Sequence, residues 1–230
     1  MTTMRVSTGR PGADPGMTKG LPAEAPHDCQ LCPRLVAYRR ENAATHPDWF
    51  NGAVPSFGTD TARLLIVGLA PGVQGANRTG RPVTGDYAGD LLYASLLEFG
   101  FAKGTYASRP DDGLELVDAM ITNAVRCVPP QNKPTPAEAR NCLGFLTARI
   151  AALPRLKAIL ALGRIAHDAV LSAEGMKRSS ATFGHGATHE LGSGLRLFDS
   201  YHCSRYNTNT RRLTEEMFHT VFADIRKYLN

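Results

Sequence analysis

No apolar run in this 230-residue chain approaches the roughly 20 residues that a membrane-spanning helix needs. The N-terminus also has no charged segment followed by an apolar core, so no secretion signal is read and a cytoplasmic protein is expected. The Gly-Lys-Ser/Thr ending of a phosphate-binding loop is missing, as is a regular Gly-x-Gly-x-x-Gly after a strand, which sets nucleotide-triphosphate chemistry aside. Neither sign of charge dominates. With 26 Lys and Arg against 21 Asp and Glu, the net charge of +5 permits binding to a polyanion without requiring it. The length suits one well-buried domain, and a monomer is expected.

Cysteine is scarce as well, but its placement is informative. Four of the five fall as Cys29-x2-Cys32 and Cys127-x14-Cys142. A reducing cytosol disfavours disulfides, and four soft thiolates suit either a [4Fe–4S] cluster or a structural zinc ion. Compact zinc modules pair two close couplets within about 20 residues. Here the second couplet is loose and the first is distant, so the spacing favours the cluster and leaves zinc as the alternative. Cys203 belongs to neither couplet.

Residues 1–24 are rich in Gly, Pro, Thr and Met and have no apolar period, which predicts a disordered tail before a domain over 25–230. Leu31, Leu35 and Tyr38 recur at helical spacing with Pro33 in the first turn, so the first couplet opens a helix. Beyond it, short β-rich apolar runs at 63–69, 119–125, 157–162 and 195–200 read as strands. Helical patterns at 87–99, 136–153, 163–171 and 214–228 alternate with them. Thr135-Pro136-Ala137-Glu138 reads as a capping box. The expected fold is α/β: a three-layer α/β/α sandwich with a central, mainly parallel four-stranded sheet. Each strand is followed by a polar or glycine-rich segment, and in open α/β sheets ligands bind outside the strand C-terminal ends. The four segments should therefore meet at one crevice.

Those segments carry a resemblance. They are Gly68-Leu69-Ala70-Pro71-Gly72 with Gly75-Ala76-Asn77-Arg78-Thr79-Gly80-Arg81-Pro82-Val83-Thr84-Gly85-Asp86; Cys127-x-Pro129-Pro130-x-Asn132-Lys133-Pro134-Thr135-Pro136; Ala161-Leu162-Gly163-Arg164-Ile165-Ala166; and Ser200-Tyr201-His202-x-Ser204-Arg205-x-Asn207-Thr208. In this order, with the four cysteines, they resemble the family 5 (type b) uracil-DNA glycosylases of the iron–sulfur-containing superfamily, from about Cys29 to the C-terminus. The related family 4 enzymes share the cysteines and the loop order.

The resemblance implies an enzyme that flips uracil, and other deaminated bases such as hypoxanthine, out of single- or double-stranded DNA. It would then hydrolyse the N-glycosidic bond as the first step of base excision repair. It implies a [4Fe–4S] cluster on Cys29, Cys32, Cys127 and Cys142, acting as a scaffold. Asp86 would stabilise the sugar cation and activate water, although its place before Tyr87 also suits a plain helix N-cap. His202 would donate to the departing base, against a structural role at a strand end, and Asn132 would help hold the water, against a turn role. Base contacts would come from Ala70, Pro71, Gly72, Val83 and Asn123. Asn123 is the base-reading residue of family 4 and is equally suited to an internal hydrogen bond. Val83 stands where related enzymes place a stacking phenylalanine, and Tyr87 and Phe57 are the candidate replacements. Asn77, Arg78, Arg81, Lys133 and Arg164 are candidate phosphate contacts. Ser204, Arg205 and Asn207 belong to a loop expected to enter DNA beside the flipped nucleotide, unless it is an ordinary solvated loop. The rival reading is an iron–sulfur DNA-binding or redox-sensing protein without glycosylase activity.

Overall fold

In a computed structural model, residues 22–230 are described. The expected tail over 1–24 lies outside the described residues except for its last three. Of these, Glu24 is fixed against the body, its carboxylate accepting from Arg126 at 2.8 Å and from Arg149 at 2.5 Å.

Among the described residues, eight strands and seven α-helices follow one another. The strands are β1 (Phe57–Gly58), β2 (Leu64–Gly68), β3 (Ala102–Lys103), β4 (Glu115–Leu116), β5 (Ala119–Asn123), β6 (Ala158–Leu162), β7 (Thr188–Glu190) and β8 (Arg196–Ser200). The helices are α1 (Pro33–Thr45), α2 (Ala76–Thr79), α3 (Tyr87–Glu98), α4 (Pro136–Ala151), α5 (Arg164–Ala173), α6 (Arg205–Asn209) and α7 (Glu215–Leu229). Six strands form one sheet in the order β1-β5-β2-β6-β8-β7, and β3 pairs with β4 apart from it. The inner four, β5-β2-β6-β8, are parallel and are the four that the sequence predicts. The short antiparallel edges β1 and β7 enlarge the expected four-stranded sheet to six. They escape a reading by apolar runs because they are two and three residues long and largely open to solvent.

Every residue of β2 and β6 is buried, because helices cover both faces. Leu64 and Ile66 pack with Leu92 and Leu96 of α3 and Phe218 and Phe222 of α7. Leu65 and Val67, one step along, pack with Leu146 and Ile150 of α4 and Val170 of α5. That alternation makes the three layers. Helix α4 begins with the expected capping box: the Glu138 amide donates to Thr135 Oγ1 (3.3 Å), and the Thr135 amide to Glu138 Oε2 (2.7 Å). The parallel strands end level with one another, Gly68 opposite Asn123 and Leu162 opposite Ser200. Their following segments therefore rise from one rim.

Candidate active site

Above that rim is a crevice of about 420 Å³, within the range of about 300–1,000 Å³ usual for small-ligand pockets. One wall comes from the segment after β2, through Leu69, Ala70 and Gly72, with Val83, Asp86 and Tyr87 further along. Asn123 at the end of β5 and Asn132 supply another, and His202, Ser204 and Arg205 after β8 close it. Pro71 is buried and does not line it.

Asp86 occupies the N-cap position of α3 with extended backbone (φ −132°, ψ 171°), yet its side chain makes no cap hydrogen bond. The carboxylate turns instead toward the glycine loop, where a β-carbon on Gly75 would stand 2.4 Å from Oδ2 and one on Gly72 2.9 Å. Its Oδ1 is buried and has no hydrogen-bond partner among the described residues. Burial pushes this carboxyl above the usual carboxylate range, opposed by the charge of His202 and by the Gly89 and Ala88 amides of the first helical turn. Across the crevice, burial pushes the His202 imidazole below its usual value while the Asp86 charge pulls it up. The two side chains thus line one cavity within electrostatic reach of each other. Asn123 is buried at the end of β5 and lines the crevice, its Oδ1 turned toward Gly68, where a β-carbon would stand 2.5 Å from it.

The loop bearing Val83 and Asp86 is held from beneath by Arg81. Its guanidinium donates to both oxygens of Asp112 (Nη1–Oδ1 2.8 Å, Nη2–Oδ2 2.7 Å) and, through Nε, to Thr84 Oγ1 at 2.8 Å. The rings of Phe57, Tyr93 and Tyr106 surround it, and both charged partners are buried. Arg81 is therefore a framework residue, a correction to its expected phosphate contact: a guanidinium bonded to a buried carboxylate does not reach DNA. Phe57, lying over Arg81, is likewise outside the crevice lining. The loop needs this hold because Val83 sits at φ +50°, a left-handed conformation that costs a β-branched residue about 1–3 kcal/mol.

Asn77 is also turned inward, donating through Nδ2 to Asn51 Oδ1 at 3.0 Å. Arg78 is exposed, but its guanidinium spans Gln74 O and Gly85 O, bracing the same loop. Arg164 stands exposed beside the rim, paired with Asp168 at 3.2 Å, and lies outside the crevice lining. Residues 205–209 are helix α6, so the expected loop there is a short helix; Asn207 Nδ2 donates back to His202 O at 2.8 Å. Tyr87 does reach the crevice mouth, with the Arg205 guanidinium 5.2 Å from its ring centroid.

Cys29, Cys32, Cys127 and Cys142 gather in one cluster with Leu35, Val125 and Phe145, and none is in a disulfide. Burial pushes Cys127 up to about 12 and Cys142 to about 11. Burial raises Cys32 as well, and four thiols gathered in one apolar pocket fit a bound metal centre, which would hold them as thiolates. Two donors already face them, the Arg126 amide toward Cys142 Sγ and Asn141 Nδ2 toward Cys32 Sγ, each at 3.5 Å. Arg34 of α1 bridges to Glu138 (2.7 Å) and to the Lys133 carbonyl (3.0 Å), fixing the turn that presents Asn132. Gln131 and Asn132 both have positive φ (56° and 55°), a conformation asparagine tolerates well. Cys203 is a core thiol, its S–H directed at Ala88 O (3.4 Å).

Sequence reasoning missed Asp112, Thr84, Tyr93 and Glu24. No short-range signal marks them, since their partners lie far along the chain or inside the loop they brace.

A family model described as the uracil DNA glycosylase superfamily matches residues 55–226. A Type-5 uracil-DNA glycosylase of Thermus thermophilus is 46% identical over 204 residues, covering 86% of this chain and 93% of that protein. One from Mycobacterium tuberculosis is 42% identical over 208 residues, with 86% and 77% covered. A Type-4 uracil-DNA glycosylase of Sulfurisphaera tokodaii is 32% identical over 176 residues, with 74% and 73% covered.

Proposed function

Because the chain belongs to the uracil DNA glycosylase superfamily, we propose that its crevice receives a base flipped from DNA and that Asp86, His202 and Asn132 hydrolyse the N-glycosidic bond. Uracil excision in DNA repair is the activity, and the relatives give no support to a DNA-binding protein without catalysis. The observation that carries the residue assignment is the Asp86 carboxylate: it has a buried oxygen without a hydrogen-bond partner, which is costly to the fold, on a residue that lines one cavity with His202.

As the bond breaks, positive charge grows on the deoxyribose and negative charge on the leaving base. The Asp86 anion stabilises the first and orients a water, assisted by Asn132; the water's oxygen ends on C1′ and its proton passes to the carboxylate. His202, kept neutral by burial, donates an N–H to the base carbonyl as it becomes anionic. The Asn123 amide reads the base edge, with Ala70, Gly72 and Val83 as the surrounding wall. Tyr87 offers the aromatic face that Val83 lacks, and Ser204 and Arg205 meet the DNA backbone at the mouth. The wall is mostly backbone and small side chains, which suits hypoxanthine as well as uracil.

We assign a [4Fe–4S] cluster to the four cysteines. The four thiols converge from the residues before α1, the segment after β5 and helix α4. Such a loose, distant pair of couplets suits a multi-iron core better than a compact zinc module. When bound, such a cluster cross-links α1 to α4 and the segment after β5.

The test is Asp86→Asn against uracil- and hypoxanthine-containing oligonucleotides. Binding should persist while base release falls by about 10²–10⁴-fold. Unchanged release would remove Asp86 from the mechanism.

A further inference from the structure

On the far side of β8 from the crevice, Asp199 is wholly buried, and its two oxygens face two imidazoles. His167 Nδ1 lies 2.8 Å from Oδ1 and His189 Nε2 lies 3.3 Å from Oδ2. All three donor atoms fall within 4.8 Å of one another. His167 Nε2 is 3.1 Å from Ala181 O. A carbonyl only accepts, so Nε2 carries a hydrogen, and Nδ1 faces Asp199 Oδ1 either as a second N–H or, with a cation between them, through its lone pair. His189 Nε2 is buried and makes no hydrogen bond among the described residues.

We propose that His167, His189 and Asp199 form a metal site, separate from the cysteines, that takes zinc or a similar divalent transition ion. Two imidazoles and a carboxylate are a usual zinc donor set, and tetrahedral bonds of about 2.0–2.1 Å place donors about 3.3 Å apart. The two separations, 2.8 and 3.3 Å, run to different oxygens of Asp199, so an ion held between the imidazoles draws on both oxygens or turns the carboxylate to present one. The supporting partners are present: Ala181 O fixes the His167 tautomer, and the Gly184 amide lies 3.5 Å from Asp199 Oδ2. His189 is 19% exposed on the edge strand β7, so the site lies close to the surface. A proton shared between His167 and Asp199 is the competing arrangement. It leaves His189 Nε2 3.3 Å from Asp199 Oδ2 without a hydrogen bond, whereas one cation satisfies all three groups.

The site would also brace the catalytic rim. The 181–189 segment that it staples to β8 includes His185, whose Nε2 donates to Met217 O (3.2 Å) and whose Nδ1 accepts the Tyr201 amide (3.2 Å), one residue before His202.

The test uses the tag-free protein with its cysteine-bound cofactor in place, washed with chelator and titrated with zinc chloride by calorimetry, with zinc and iron counted by mass spectrometry. The expected result is one tightly held zinc per chain in the wild type, with a rise in melting temperature. His189→Gln should lose both while keeping its iron. No stoichiometric zinc in the wild type, or equal zinc in His189→Gln, overturns the site. Should that variant fail to fold, X-ray absorption of the zinc-loaded wild type decides: a shell of nitrogen and oxygen alone supports the assignment, and sulfur in the shell overturns it.

Discussion

Asp86 Oδ2 lies so close to the backbone of Gly75 that a β-carbon there would stand 2.4 Å from it. The same oxygen approaches Gly72, and Oδ1 is buried without a partner. The carboxylate is therefore given its room by the missing side chains of two glycines, with the Gly89 and Ala88 amides favouring its charge. Its orientation depends on space, which makes it sensitive to small intrusions.

Gly72→Ala tests that directly. Its β-carbon would stand 2.9 Å from Oδ2, so the carboxylate must move by a few tenths of an ångström. Base release should fall by about 10- to 100-fold, since small misplacements of a reacting group are expensive. Single-turnover kinetics and a thermal melt separate this from unfolding, and the melting temperature should change little.

Asp86→Asn should raise stability at neutral pH. Burial puts the folded-state pKa of Asp86 above its unfolded value. Such a group favours the fold below the unfolded pKa, and the contribution is lost as pH rises through the folded value. Near pH 7 the buried charge opposes folding, and asparagine removes it. Melting curves should show the variant ahead at about pH 7.5 and the gap closing toward about pH 4; a gap that widens on acidification contradicts the assignment.

Arg205 and Arg81 should behave oppositely. Arg205→Ala removes an exposed cation at the crevice mouth and should reduce the salt dependence of DNA binding by about 0.7–0.9 in the log–log slope. Arg81→Met leaves Asp112 as a buried, unpaired charge, costing about 3–5 kcal/mol in urea denaturation. Protein that still folds should keep the slope of the parent.

Cys127→Ala removes one of four converging thiols, and the brown chromophore and solubility should be lost together. Iron content and an absorbance scan check this. Soluble, active, colourless protein would refute the scaffold role.

The parallel core was legible because Leu64–Gly68 and Ala158–Leu162 are apolar throughout, a pattern that fits strands covered on both faces. The α4 start was equally legible, since a capping box is a local bonding pattern between Thr135 and Glu138. Asp86 and His202 were named from their motifs, and the level strand ends bring them to one cavity. Arginine at a loop mouth, by contrast, reads the same whether it faces DNA or the core. Arg81 and Arg78 differ only in which partners the fold supplies, an acid at Asp112 in one case and two carbonyls in the other.

Chain order and local chemistry thus determined the layers, the helix starts and the residues able to do acid, donor and thiolate chemistry, because periodicity and motif spacing are properties of neighbours in sequence. Tertiary structure alone decided which cations remain free, that Asp86 leaves its cap unbonded, and that His167 and His189 face one buried carboxylate. Those outcomes depend on which distant groups share a space and on how much water is left between them, and no stretch of sequence encodes either by itself.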